Sequence, residues 1–151
     1  MVDSLERTAK NNMRVRVIGD KTGLSEDIQK SIADVETASV GNTGLNFTIA
    51  INYGSRDEMI RAMKKMLADG HINPDEMSEA LFEHYLDTAG MPDPDLVIRT
   101  SGEQRVSNFL LWQMAYSEFY FTPVLWPDYN KETMIEAIRA YSKRDRRFGG
   151  V

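Results

Sequence analysis

Residues 13–19, MRVRVIG, alternate Val15 and Val17 with Arg14 and Arg16, the two-residue period of a strand covered on one face. LNFTIAIN (45–52) repeats that period with Leu45, Phe47, Ile49 and Ile51 and predicts a second strand. Between them the period changes. Ile28, Ile32 and Val35 follow Ser25 at helical spacing, and Ser25 is placed to cap that helix. Ser55 and Glu58 form a capping-box pattern ahead of Met59, Ile60, Met63 and Leu67, with Gly70 as a C-terminal stop. Asn73-Pro74 with Glu76 predicts the start of another helix, with Met77, Leu81 and Tyr85 on one face and Gly90 after its end. MPDPD (91–95) reads as a rigid loop.

LVIR (96–99) is a short apolar run suited to a buried parallel strand. The run FLLWQMAY predicts a helix from about Ser107. EFYFTPVLWP (118–127) is strand-like, with Pro123 arguing for an edge or a bulge. Asn130 caps a last helix with Met134, Ile135, Ile138 and Tyr141 turned inward. Strands alternate with helices throughout. The order predicts an α/β fold with a largely parallel sheet flanked by helices, because each parallel return needs a crossover. No repeat or linker interrupts residues 1–151, so one domain is expected. Four strands are few for a sheet covered on both faces, which points to an incomplete chain.

Bulk properties narrow the partners. The formal net charge of -5 argues against general nucleic-acid binding. With no cysteine, disulfide frameworks and thiolate metal sites are excluded. The polar N-terminus has no signal-peptide pattern and no apolar stretch approaches a membrane span. The default location is cytoplasmic, with peripheral membrane contact left open.

Residues 99–108, RTSGEQRVSN, hold the clearest candidate chemistry. Arg99 ends a strand and Arg105 precedes the predicted helix that Ser107 would cap. Ligands of open α/β sheets bind beyond the carboxyl ends of the strands. Two guanidinium forks beside helix-terminal amides suit a phosphate or diphosphate. The plain alternative pairs Arg99 or Arg105 with Glu103 or Glu118 on the surface. Glu118 could serve Mg²⁺ or be a solvated charge. His71 and His84 lack partners at ligand spacing and read as structural or surface residues. The tail SKRDRRFGG suits either a helix C-terminal charge pattern or an arginine arm.

The block IRTSGEQRVSNFLLWQMAYSEFYFTPVLWPDY resembles the C-terminal signature of the cis-prenyltransferases of the undecaprenyl diphosphate synthase type. RVRVIGD, LNFTIAINYGSRDEM and the terminal RRFGG are similar to other blocks of that family, in the same order. The resemblance implies Mg²⁺-dependent condensation of isopentenyl diphosphate with an allylic diphosphate, farnesyl diphosphate, into a long polyprenyl diphosphate carrier for cell-wall glycans. It implies that Arg99, Arg105, Val106 and Ser107 bind the isopentenyl diphosphate, and that Glu118 binds Mg²⁺. Arg147 and Gly149 belong to an element reaching the partner's diphosphate across a homodimer, and apolar residues of 45–52 line the product tunnel. Family members also carry an Asp-Gly-Asn-x-Arg-Trp loop and a Ser-x-Glu-Asn-Trp segment that this sequence lacks. A C-terminal part of a synthase, inactive alone for want of the catalytic Asp, is therefore expected. The alternatives are a non-catalytic partner subunit and a phosphometabolite-binding α/β domain.

Overall fold

A computed structural model describes residues 11–70 and 73–145. They fall into two compact units, one ending at Gly90 and one beginning at Met91. Both are α/β, and in each a pair of parallel strands carries the helices. The expected α/β class and parallel pairing are thus present, with the four strands arranged as two pairs.

In the first unit β1 (Arg14–Ile18) pairs in parallel with β2 (Asn46–Ala50), Arg14 opposite Asn46 and Ile18 opposite Ala50. Val15 and Val17 are buried, as the alternation requires, and Ile18 is buried on the other face at the strand's end. The crossover is α1 (Glu26–Ser39), which Ser25 precedes without a side-chain cap bond and which buries Ile32. Its Ser39 Oγ accepts from Val15 N (3.0 Å) and its Glu36 Oε1 from Val17 N (2.7 Å). On β2 the strand is as predicted, but Leu45, Phe47 and Ile49 remain exposed.

Next comes α2 (Ser55–Asp69), stopped by Gly70 in the left-handed region at φ 65°. The expected capping box is absent. Gly54 is the N-cap and Ser55 already lies in the helix, while Glu58 is fully buried and accepts from Tyr53 and Asp87. Burial has drawn that carboxylate to long-range donors. The predicted helix from Asn73 is also revised. Pro74–Glu76 make one 3₁₀ turn, with Asn73 accepting from Asp75 N. A separate α3 (Glu79–Tyr85) starts at Ser78, whose side chain accepts from Leu81 N. Met77 between them is exposed.

In the second unit β3 (Leu96–Arg99) pairs in parallel with β4 (Glu118–Phe121), Leu96 opposite Glu118 and Arg99 opposite Phe121. The helix predicted from Ser107 does not form. Residues 107–116 are consecutive turns and bends, because Ser107, Asn108 and Leu110 take positive φ values of 49°, 61° and 44° and break the right-handed path. Pro123 lies beyond β4, outside the ladder. The last helix, α4 (Lys131–Ser142), opens on a reciprocal Asn130–Thr133 capping box. Ala137 is its buried residue, whereas Met134 and Ile138 are exposed, so the inward face differs from the expected one. Among the described residues no helix is long and apolar enough to cross a membrane.

Candidate functional site

Strand pairing delivers Arg99 to the carboxyl end of β3. The chain then turns sharply through Ser101 and Gly102, both at positive φ. This turn is sewn to the continuation of β4: Ser101 N bonds Val124 O (2.8 Å), Gly102 N bonds Thr122 O (2.9 Å) and Thr122 N bonds Arg99 O (2.9 Å). The backbone is therefore fixed on both sides of Arg99, and Arg105 returns three residues after the turn.

A cavity of about 230 Å³ opens here, with Arg99, Arg105 and Val106 joined by Phe109, Phe119 and Phe121. Phe119 and Phe121 stack at 5.9 Å between ring centroids, as same-face neighbours on a strand do. The site thus combines two cations with an aromatic floor, a lining suited to an anion carrying an apolar tail. Arg99 makes no ion pair or side-chain hydrogen bond among the described residues. Arg105 realises the plain alternative raised by the sequence and meets Glu103 Oε2 at 2.5 Å. That pair is largely exposed, so it is weak and exchangeable.

Three of the anticipated residues, Arg99, Arg105 and Val106, therefore share one cavity. Ser107 follows them directly but does not line it. Glu118 sits apart. It is the first residue of β4, and side chains alternate along a strand. Phe119 and Phe121 face the cavity, so Glu118 faces the other way. Its Oε2 instead pairs with Arg144 Nη1 at 2.5 Å. Among the described residues no three carboxylates or histidines cluster. A hard cation would find a single carboxylate there, already paired with Arg144 and turned away from the cavity, so the described residues at Glu118 do not by themselves fit Mg²⁺. Arg147, Gly149 and His71 lie outside the described residues. His84 stands on α3, edge-on to Tyr85 at 5.6 Å.

Sequence reading missed a second polar cluster, at the carboxyl ends of β1 and β2. Asp87 accepts from Arg61 Nη1 and Nη2 (2.8 and 2.7 Å) and from Gly19 N (3.1 Å). Burial pushes the Asp87 carboxyl up, but Arg61, the Gly19 N–H and Lys65 together outweigh it and leave the group below the ordinary carboxylate range. Glu58 joins the Asp87 backbone N–H (2.9 Å) to the Tyr53 hydroxyl (2.5 Å). Asn52, at φ 47°, donates from Nδ2 to Asp20 O (2.9 Å). The partners of Asp87 lie 26 to 68 residues away in the chain, so no local motif announces them.

Residues 1–149 match the family described as "Putative undecaprenyl diphosphate synthase". The chain is 51% identical over 145 residues to the isoprenyl transferase of Rhizobium meliloti (strain 1021), covering 94% of this chain and 59% of that protein. It is 45% identical to the ditrans,polycis-undecaprenyl-diphosphate synthase ((2E,6E)-farnesyl-diphosphate specific) of Vibrio cholerae, covering 96% and 59% respectively. Among solved structures, lavandulyl diphosphate synthase from Lavandula x intermedia, in complex with dimethylallyl diphosphate, superposes with a TM-score of 0.93 at 40% identity, covering 98% of this chain and 65% of the other. The chain spans about 59% of the length of the curated relatives it matches. With a match that runs through both units, the chain belongs to the undecaprenyl diphosphate synthase family of cis-prenyltransferases.

Proposed function

We propose that this chain forms the isopentenyl diphosphate side of a cis-prenyltransferase making a polyprenyl diphosphate of the undecaprenyl type. The single observation that carries the reading is the cavity holding Arg99 and Arg105 above Phe109, Phe119 and Phe121. Isopentenyl diphosphate is a multiply charged anionic head on a short apolar body, and this lining complements both parts.

In the proposed reaction an allylic diphosphate such as farnesyl diphosphate loses its diphosphate from C1. The isopentenyl double bond supplies the electrons for the new carbon–carbon bond, and a proton then leaves to form a cis double bond. Arg99 and Arg105 bind and orient the acceptor head, while the aromatic floor keeps water from its reacting end. Val106 completes the lining, Ser107 just outside it is assigned to the acceptor diphosphate by the family resemblance, and Arg147 and Gly149 of the C-terminal tail are assigned to the diphosphate site of a homodimer in the same way. Mg²⁺ carried by the diphosphates would neutralise phosphate charge; Glu118, paired with Arg144 and turned away from the cavity, is not assigned to it. The exposed apolar face of β2 belongs to the channel for the growing chain. These 151 residues alone are proposed to bind the acceptor without turnover, since the catalytic Asp of the family is not among them.

Calorimetry with isopentenyl diphosphate tests the binding claim. Arg99→Ala and Arg105→Ala should each weaken binding by about 10- to 100-fold, the loss expected for one charge-assisted contact. Affinities equal to the parent's would overturn the assignment. Labelled isopentenyl diphosphate and farnesyl diphosphate test the rest: robust polyprenyl product from the 151-residue polypeptide would sink the claim that it cannot turn over.

A further inference from the structure

Separate devices hold the two halves of the acceptor cavity. The cationic half is fixed by the turn after Arg99, through the bonds of Ser101, Gly102 and Thr122. The aromatic half depends on where β4 carries Phe119, which stacks on Phe121. Glu118 N bonds Asp95 O (3.0 Å) and Thr122 N bonds Arg99 O (2.9 Å), so the even-numbered residues of β4 face β3. Alternate residues of a parallel strand turn their backbone groups to opposite sides. The Phe119 carbonyl therefore looks to the outer edge, where the ladder gives it no partner.

Arg144 supplies one. Its Nη2 donates to the Phe119 carbonyl at 2.7 Å, while Nη1 meets Glu118 Oε2 at 2.5 Å. Its own N–H bonds Tyr141 O (3.0 Å), which ties the clasp to the last turn of α4. Glu118 is thus an anchor for the guanidinium on the face opposite the cavity. A planar fork spans two such points, and an ammonium does not. We propose that Arg144 is a positioning residue for the acceptor cavity: by holding the outer edge of β4 at Phe119, it sets how well the site tells a prenyl diphosphate from bare diphosphate. This rests on the acceptor reading of the cavity given above. Without the clasp the first residues of β4 are held from one side only, and the ring direction follows the backbone. Arg99 and its turn keep their own bonds.

Calorimetry with isopentenyl diphosphate and with inorganic diphosphate separates the two halves. Arg144→Gln should weaken isopentenyl diphosphate by about fivefold and leave inorganic diphosphate within about twofold. Arg144→Lys, the milder change, should show the same selective loss, since it keeps the charge and loses the bridge. On a Phe119→Ala background, Arg144→Gln should cost nothing further, because both act through one ring. Unchanged isopentenyl diphosphate binding in Arg144→Gln overturns the proposal. So does an equal loss for both ligands, which would mark general damage, or full recovery in Arg144→Lys, which would mark a long-range charge effect. If the parent binds neither ligand, or Phe119→Ala leaves isopentenyl diphosphate binding intact, the cavity reading itself fails and the positioning role falls with it.

Discussion

Arg61 grips Asp87 with both arms of its guanidinium, Nη1 2.8 Å from Oδ1 and Nη2 2.7 Å from Oδ2. The Asp87 side chain is only 12% exposed, and losing it leaves Arg61 with the exposed Asp57 as its remaining carboxylate. Asp87→Asn should cost about 2–3 kcal/mol at pH 7. The sign of the pH dependence follows from the lowered Asp87 pKa. The stabilisation is fully present above the unfolded carboxylate value near 3.9 and is lost as pH falls through the lower folded value. Urea midpoints from pH 7 to 2 should show the gap between parent and variant closing at the acid end.

The Tyr53 phenol behaves oppositely. Burial and the hydrogen bond to Glu58 push its pKa far above the ordinary tyrosine range, against a smaller opposing pull from Ser55. The folded protein should therefore keep Tyr53 protonated at pH 11. Phenolate absorbance at that pH should be the same in parent and Tyr53→Phe, provided both remain folded. The stability from this group is complete below the unfolded value near 10 and is lost as pH rises beyond it. Tyr53→Phe also removes a donor from fully buried Glu58 and should destabilise by about 1–3 kcal/mol.

Two glycines should answer differently to the same substitution. At Gly19, φ is 113° and an added Cβ would fall 2.0 Å from Ile51 O. Gly19→Ala must push β1 and β2 apart and should cost at least about 2 kcal/mol. At Gly102, φ is 69° with nothing within 4 Å, so Gly102→Ala should cost only the left-handed penalty, about 1 kcal/mol. Thermal or urea unfolding of the pair checks the ranking.

Ser107 separates backbone strain from binding. It is held at φ 49°, where a Cβ is unfavourable, so Ser107→Gly should raise stability by up to about 1 kcal/mol. If its hydroxyl contacts the acceptor diphosphate, both Ser107→Gly and Ser107→Ala should weaken isopentenyl diphosphate binding. Unchanged affinity in both variants would remove Ser107 from the cradle.

Local order was legible where the physics is local. The Val15/Val17 alternation, the Gly70 stop and the Asn130 cap are each decided within a few residues, and each is found. Arg99 and Arg105 could be paired as candidates because a strand end and a turn bring them together over six residues. FLLWQMAY misled because apolar spacing there mimics a helix, while three left-handed residues between 107 and 110 forbid one. Glu58 misled for a related reason: a capping pattern is a local proposal, and Tyr53 and the distant Asp87 amide outbid it. The β1–β2 rim was invisible because its bonds depend on the tertiary approach of Asp87 to Gly19.

The three bonds to Val15, Val17 and Gly19 have a further effect. In the β1–β2 ladder the N–H groups of Arg14 and its alternates point toward β2, so those of Val15, Val17 and Gly19 point away. Ser39, Glu36 and Asp87 occupy all three, and Asn42 Nδ2 takes Met13 O on the same side. An incoming extended chain would find these donors already spent. The flank of β1 is thereby closed to strand addition and to amyloid-type recruitment, and any enlargement of this sheet must proceed from β2.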